Sequence, residues 1–151
     1  MPNWCHNTLT IEHDDPSEIE RIKQLLHVGE DVLSFDGFLP TPYDADDWYW
    51  WQVNNWGTKW GPVRPTLEHE SNGHLHYVYD TAWQPPIAAL RVLSRLFPEA
   101  VLTLSWDEPA MDFGGCMILR NNDTIRVLES TSRLSSWEEL ADYEREMEER
   151  A

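Results

Sequence analysis

The sequence predicts an α+β fold, a βαββαβ antiparallel sheet with two helices on one face. Three observations carry this. Four short segments alternate apolar and polar residues, as half-buried strands do. Two stretches between them show the 3–4 spacing of an amphipathic helix and begin or end at proline. The 151 residues are 41% apolar and 12% aromatic, enough for one packed core, which excludes global disorder.

Cys5 to His13 reads as the first strand, with Leu9 and Ile11 alternating against Thr8, Thr10 and Glu12. Asp14-Asp15-Pro16 signals a helix. Asp15 suits the cap, Pro16 the first helical position, and Glu18 the capping-box spacing. Ile19, Ile22, Leu25 and Leu26 line its buried face, and Gly29 is its expected stop. Val32 to Leu39 reads as the second strand, ended by Pro40-Thr41-Pro42. Residues 43–65 form a long insertion without clear periodicity, and Ser71-Asn72-Gly73 is a turn.

His74 to Thr81 is the third strand, with Leu75, Tyr77 and Tyr79 on one face and His74, His76 and Val78 on the other. Gln84-Pro85-Pro86 opens a second helix striped by Ile87, Leu90, Leu93 and Phe97, and Pro98 stops it. Val101 to Trp106 is the fourth strand, and Asp107 to Gly115 a polar loop. Cys116 to Arg120 and Thr124 to Glu129 read as a hairpin around Asn121-Asn122-Asp123. A third helix is expected from Ser136, with Glu139 at the capping-box spacing. The chain is read as a single domain: a body over 1–115, then a hairpin and acidic helix over 116–151.

This element order is that of the ferredoxin-like split βαβ motif. An iron–sulfur cluster is not expected, because it takes about four cysteines and the chain has two. No glycine-rich phosphate loop, dinucleotide fingerprint or Gly-x-Ser-x-Gly elbow is present, so no cofactor is expected.

The charge is 11 basic against 27 acidic residues, a formal −16. That argues against direct binding to a nucleic-acid backbone, which needs Lys and Arg to replace counterions. An anionic membrane is disfavoured for the same reason. A basic protein partner, or one that itself binds nucleic acid, is electrostatically favoured. Met1-Pro2-Asn3-Trp4-Cys5 does not open like a signal peptide, and no apolar run approaches a membrane span. The expectation is a cytoplasmic protein with thiols.

Nine tryptophans are present, five of them between Trp48 and Trp60. Three motifs stand out. They are Met1-Pro2-Asn3-Trp4-Cys5-His6-Asn7, Asn55-Trp56-Gly57-Thr58-Lys59-Trp60 and Thr81-Ala82-Trp83-Gln84-Pro85-Pro86. On these the chain resembles the Api92/YubB-like group, from Met1 to about Gly115. The resemblance implies a ferredoxin-like domain and a setting in phages, plasmids and bacterial genomes. It implies no reaction. The segment from Cys116 onward falls outside the resemblance.

In a sheet of order 4-1-3-2, one end is expected to gather Asn3, Trp4, the Trp48–Trp60 segment with Asn55, Trp56, Thr58, Lys59 and Trp60 as its binding residues, and Trp106-Asp107-Glu108 with Asp112. Lys59 is expected near Glu108 or Asp112, and Thr81-Ala82-Trp83 at the opposite end. Indole rings supply contact area, and asparagine and threonine supply fixed polar contacts. The same residues fit a structural mini-core, since asparagines often satisfy local backbone groups.

Asp107, Glu108 and Asp112 could hold a hard cation or move a proton, although no calcium-loop pattern is present. His69, His74 and His76 could ligate a transition metal, but fit an ordinary sheet face better. Neither reading gives a catalytic or metal residue. Tyr77 and Tyr79 would be stacking platforms if the open sheet face bound bases. An open face also leaves room for a second copy of the chain.

Glu138, Glu139, Asp142, Glu144, Glu146, Glu148 and Glu149 give the last helix an acidic face. That face could engage a basic partner or simply meet water. The leading expectation is therefore a non-enzymatic accessory protein that binds, and could inhibit, a host protein. It would bind through the tryptophan-rich residues including Trp83, through the acidic face, or both. The alternative is a small-ligand or nucleotide-binding protein, a hydrolase included, that uses the tryptophan-rich edge with Glu108 and Asp112.

Overall fold

The computed structural model describes residues 3–42 and 46–130. Six strands form one antiparallel sheet in the order β2-β3-β1-β4-β5-β6. They are β1 (Trp4–Glu12), β2 (Lys59–Ser71), β3 (His74–Ala82), β4 (Val101–Glu108), β5 (Phe113–Arg120) and β6 (Asp123–Ser130). Three helices accompany them: α1 (Pro16–Leu26), α2 (Trp48–Trp56) and α3 (Ile87–Leu96).

Alternation decides the faces. Cys5, Asn7, Leu9 and Ile11 of β1 point to the core, and so do Leu75, Tyr77, Tyr79 and Thr81 of β3. Leu102, Leu104, Trp106 and Glu108 of β4 continue the same face. Ile19, Ile22 and Leu26 of α1 and Leu90 and Leu93 of α3 close over it, forming one apolar cluster. Removal of this apolar area from water is the main force holding the layers together. The other face carries His6, Thr8, Thr10, Thr103 and Ser105, a polar surface with few large apolar groups.

Tyr77 and Tyr79 are fully buried on the core side, so they cannot serve as stacking platforms. Burial raises both phenol pKa values above their ordinary range. His74, His76 and Val78 occupy the opposite face as expected. His74 and His76 stack with centroids 6.4 Å apart, and His69 lies 5.5 Å from His74. Among the described residues no group of side chains is arranged to hold a metal ion.

The second strand is not where the apolar pattern put it. Residues 32–39 form an irregular segment with a 3₁₀ turn at Phe35–Gly37, and Leu33 and Phe35 plug the core. Gly37 is required there: a Cβ would sit 1.9 Å from the Leu25 carbonyl oxygen. The strand that pairs with β3 is instead residues 59–71. It carries Gly61, Pro62 and Pro65, and its register shifts three times along β3. Such bulges are typical of a managed sheet edge.

The helix starts follow local chemistry. The Asp15 carboxylate accepts from Ser17 N–H at 2.9 Å, and Pro16 occupies the first turn. The expected capping box does not close. Asp15 N–H donates to His13 Nδ1, while Glu18 pairs with Arg21 at 2.5 Å. Gly29 falls in a tight turn closed by paired hydrogen bonds between Val28 and Asp31, three residues beyond the helix. The hairpin is longer than expected, because β5 begins at Phe113 and β6 runs from Asp123 to Ser130; the expected Asp107–Gly115 loop shrinks to residues 109–112, since β4 runs to Glu108 and pairs with Phe113. The expected third amphipathic helix from Ser136 lies outside the described residues.

Candidate functional site

Helix α2 is the core of the tryptophan-rich region, where the sequence pattern showed only an aperiodic insertion. Its sequence, Trp-Tyr-Trp-Trp-Gln-Val-Asn-Asn-Trp, has little amphipathic contrast, so tertiary packing fixes it. Trp56 is 2% exposed and packs edge-on against Phe35 at 5.5 Å and Trp51 at 5.9 Å. Its indole N–H donates to the Leu39 carbonyl at 2.8 Å, meeting the usual requirement of a buried indole.

Gln52 ties α2 to both flanks. Its amide donates to the Thr41 hydroxyl at 3.2 Å, and its carbonyl accepts from Trp60 N–H at 2.9 Å. Asn55 donates to the Trp51 carbonyl, a local bond within the helix. Gly57 ends the helix in the left-handed region at φ 86°. A Cβ there would meet Ala88 N at 3.1 Å, so α2 and α3 touch through backbone.

The three sequence motifs converge on this corner. Thr58 is buried and donates to the Ala82 carbonyl at 2.8 Å. Gln84 donates to the Gly57 carbonyl. Asn7 donates to the Cys5 carbonyl at 3.1 Å and the Thr81 hydroxyl at 2.9 Å, and Thr81 donates onward to the Gln84 carbonyl at 2.7 Å. Trp83 N–H donates to the Asn3 carbonyl at 2.8 Å. These motif residues spend their polar groups on one another. Buried polar groups satisfied this way specify a corner of the fold rather than a binding pocket.

This arrangement corrects the expected end for Thr81-Ala82-Trp83. Antiparallel pairing of β1 with β3 sets Trp4 opposite Ala82, so Trp83 lies at the same end as Asn3 and Lys59. Trp83 is 51% exposed and holds φ 73°, a conformation that bulky residues rarely adopt.

Lys59 does not approach Glu108 or Asp112. β3 and β1 lie between β2 and β4, a lateral distance of about 14 Å at the usual strand spacing. Its ammonium sits instead over the Trp60 ring at 4.1 Å and the Tyr49 ring at 5.5 Å. Glu108 has no exposed surface; one carboxylate oxygen accepts from Met111 N–H at 2.5 Å and the other has no partner. It closes the loop that contains Asp112, which has φ 52°.

Cys5 is buried beside this carboxylate. Burial pushes its thiol up to about 12, with the Glu108 charge adding to the shift and the Thr81 hydroxyl opposing it. A thiol so placed stays protonated at neutral pH and is a poor nucleophile. His6 points to the other face, where Nδ1 meets the Asp80 carboxylate at 2.6 Å. Arg64 holds the second Asp80 oxygen at 2.7 Å and stacks 5.1 Å over the Trp4 ring. Strand alternation and register could have found this cluster, had the second strand been placed at β2.

Residues 55–151, more than half of the chain, match the family model described as the ferredoxin-like domain in Api92-like protein. The chain belongs to the Api92-like family. The match extends through the segment after Cys116 that the sequence motifs left outside the resemblance. The crystal structure of protein Api92 from Yersinia pseudotuberculosis shares the fold, with a TM-score of 0.54 at 14% sequence identity. The likeness covers 64% of this chain and 39% of that one, so the Api92-like chain corresponds to well under half of the Yersinia protein. No curated protein matches it.

Among the described residues of this Api92-like domain, the first turn of α2 carries a run of three adjacent exposed aromatic side chains. Trp48, Tyr49 and Trp50 are exposed, Trp50 by 57%. Their rings touch edge to face, Tyr49 lying 6.1 Å from Trp48 and 5.1 Å from Trp50. Sequence reasoning gave the whole Trp48–Trp60 segment to this edge and, within it, named Trp56 and Trp60 as the binding tryptophans. Burial separates these five tryptophans, and their spacing alone does not. The acidic candidates Glu138, Asp142, Glu144, Glu146, Glu148 and Glu149 lie outside the described residues, as does Glu139. Among the described residues no helix is long and apolar enough to cross a membrane.

Proposed function

We propose that this chain is a non-catalytic accessory protein that docks a protein partner on the aromatic first turn of α2, in the phage or plasmid setting its family resemblance implies. The supporting observation is the exposure of three adjacent large aromatic side chains on a helix whose other end is tightly anchored. Exposed aromatic clusters are uncommon on soluble domains, and tryptophan and tyrosine dominate interface hot spots. The formal −16 charge favours a basic partner. Inhibition of a host protein would follow if the docked surface is that protein's own functional site.

A ligand or nucleotide site at Glu108 and Asp112 draws no support, because Glu108 is sealed from solvent and already caps its own loop. The test is capture from bacterial lysate with the wild-type chain and with W48A/W50A. A partner retained by wild type and lost by the variant, with unchanged thermal stability, is the expected result. Equal capture by both would remove the aromatic turn from the reading.

A further inference from the structure

Two carboxylates stand immediately before the aromatic turn. Asp46 and Asp47 are exposed, and neither makes an ion pair or a side-chain hydrogen bond among the described residues. Asp47 stands at the N-cap position of α2, where an aspartate ordinarily accepts from the helix backbone, yet its carboxylate makes no cap bond. The carboxylates therefore stay available beside Trp48 and Trp50. The same surface already shows its affinity for cations, because Lys59 rests its ammonium on the Trp60 and Tyr49 rings.

We propose that the partner segment seated on this turn is arginine-rich, with guanidinium groups stacked on Trp48 and Trp50 and forked onto Asp46 and Asp47. This rests on the docking reading above and names the chemistry of its occupant. Arginine fits better than lysine for two reasons. Its planar head stacks on an indole face, and its rigid fork of donors matches a carboxylate. The overall charge draws a basic segment toward the surface, while the aromatic rings and paired acids select where it settles.

The test is calorimetric titration of the whole chain with nona-arginine and nona-lysine peptides at about 0.15 M ionic strength, where long-range attraction is screened. Nona-arginine is expected to bind several-fold more tightly than nona-lysine. W50A and D46N/D47N are each expected to weaken it about tenfold, the scale of a lost desolvated cation–π contact or charge pair. E30Q/D31N removes the same charge at an exposed turn and is expected to change nothing. Equal binding of the two peptides, or equal weakening by E30Q/D31N, would show attraction by bulk charge and overturn the proposal. Lysate capture that depends on Trp48 and Trp50 while nona-arginine fails to bind would sink this inference and leave the docking surface standing.

Discussion

At the carboxyl end of α2, Trp56 is sealed against Phe35 and Trp51 and its indole N–H is bonded. At the amino end, one helix length of about 12 Å away, Trp48 and Trp50 stand in solvent beside carboxylates that cap nothing. The residue type is the same at both ends. What differs is the neighbourhood: a 3₁₀ turn, a strand and α3 converge on the last turn, and among the described residues nothing comparable covers the first. A tryptophan count therefore says little about function until each ring is assigned to packing or to solvent. The contrast also separates two roles inside one motif-rich segment, a lock at Trp56-Gly57-Thr58 and a display at Trp48-Tyr49-Trp50.

The strongest way to break this contrast is Trp56→Ala. Removing a buried indole should cost about 3–5 kcal/mol of stability, read from urea unfolding. A cost as small as that of a surface change would show that the last turn is no anchor. Gly57→Ala should cost about 1–3 kcal/mol, because φ 86° and the approach of Ala88 both resist a side chain. A well-tolerated alanine would mean that the α2–α3 contact can relax.

Alkaline pH probes the sealed corner through its protons. The folded state holds the Cys5 thiol proton to about 12, above the ordinary 9.0, so the unfolded chain releases it first. Stability should be unaffected below pH 9 by this group and then fall by about 1.4 kcal/mol per pH unit as pH rises. Tyr77 and Tyr79 steepen the loss above pH 10 in the same direction. Unfolding midpoints from pH 8 to pH 11 check this, and Cys5→Ala should flatten its onset. The smallest effect belongs to Trp50→Ala, expected within about 0.5 kcal/mol of wild type. A loss of several kcal/mol there would turn the display into a second lock.

Much of the fold was legible in the sequence because strict alternation survives wherever one sheet face is buried. Leu9 and Ile11, Leu75 and Tyr77, and Leu102 and Leu104 all announced their faces. β2 was illegible because Gly61, Pro62 and Pro65 break the pattern, and three register shifts make its side chains fall out of step. Val32, Leu33 and Phe35 mimicked a strand because a core plug needs the same apolar residues. The candidate site was half legible. The motifs do gather at one end of the sheet, but Thr81-Ala82-Trp83 was placed at the wrong end because the sense of β3 was reversed. Nothing in the composition separated Trp50 from Trp56, since that distinction comes from neighbours distant in sequence.

The bulged, proline-bearing β2 bears on how such a domain can be elaborated. With proline nitrogens unable to donate and the ladder interrupted, new strands cannot easily be grafted beyond β2. The β4 side had no such obstruction, and it is there that the β5–β6 hairpin extends the sheet. The two margins of the sheet therefore differ in what they can accept: the β2 side offers an interrupted ladder, and the β4 side carries a regular one that the β5–β6 hairpin continues.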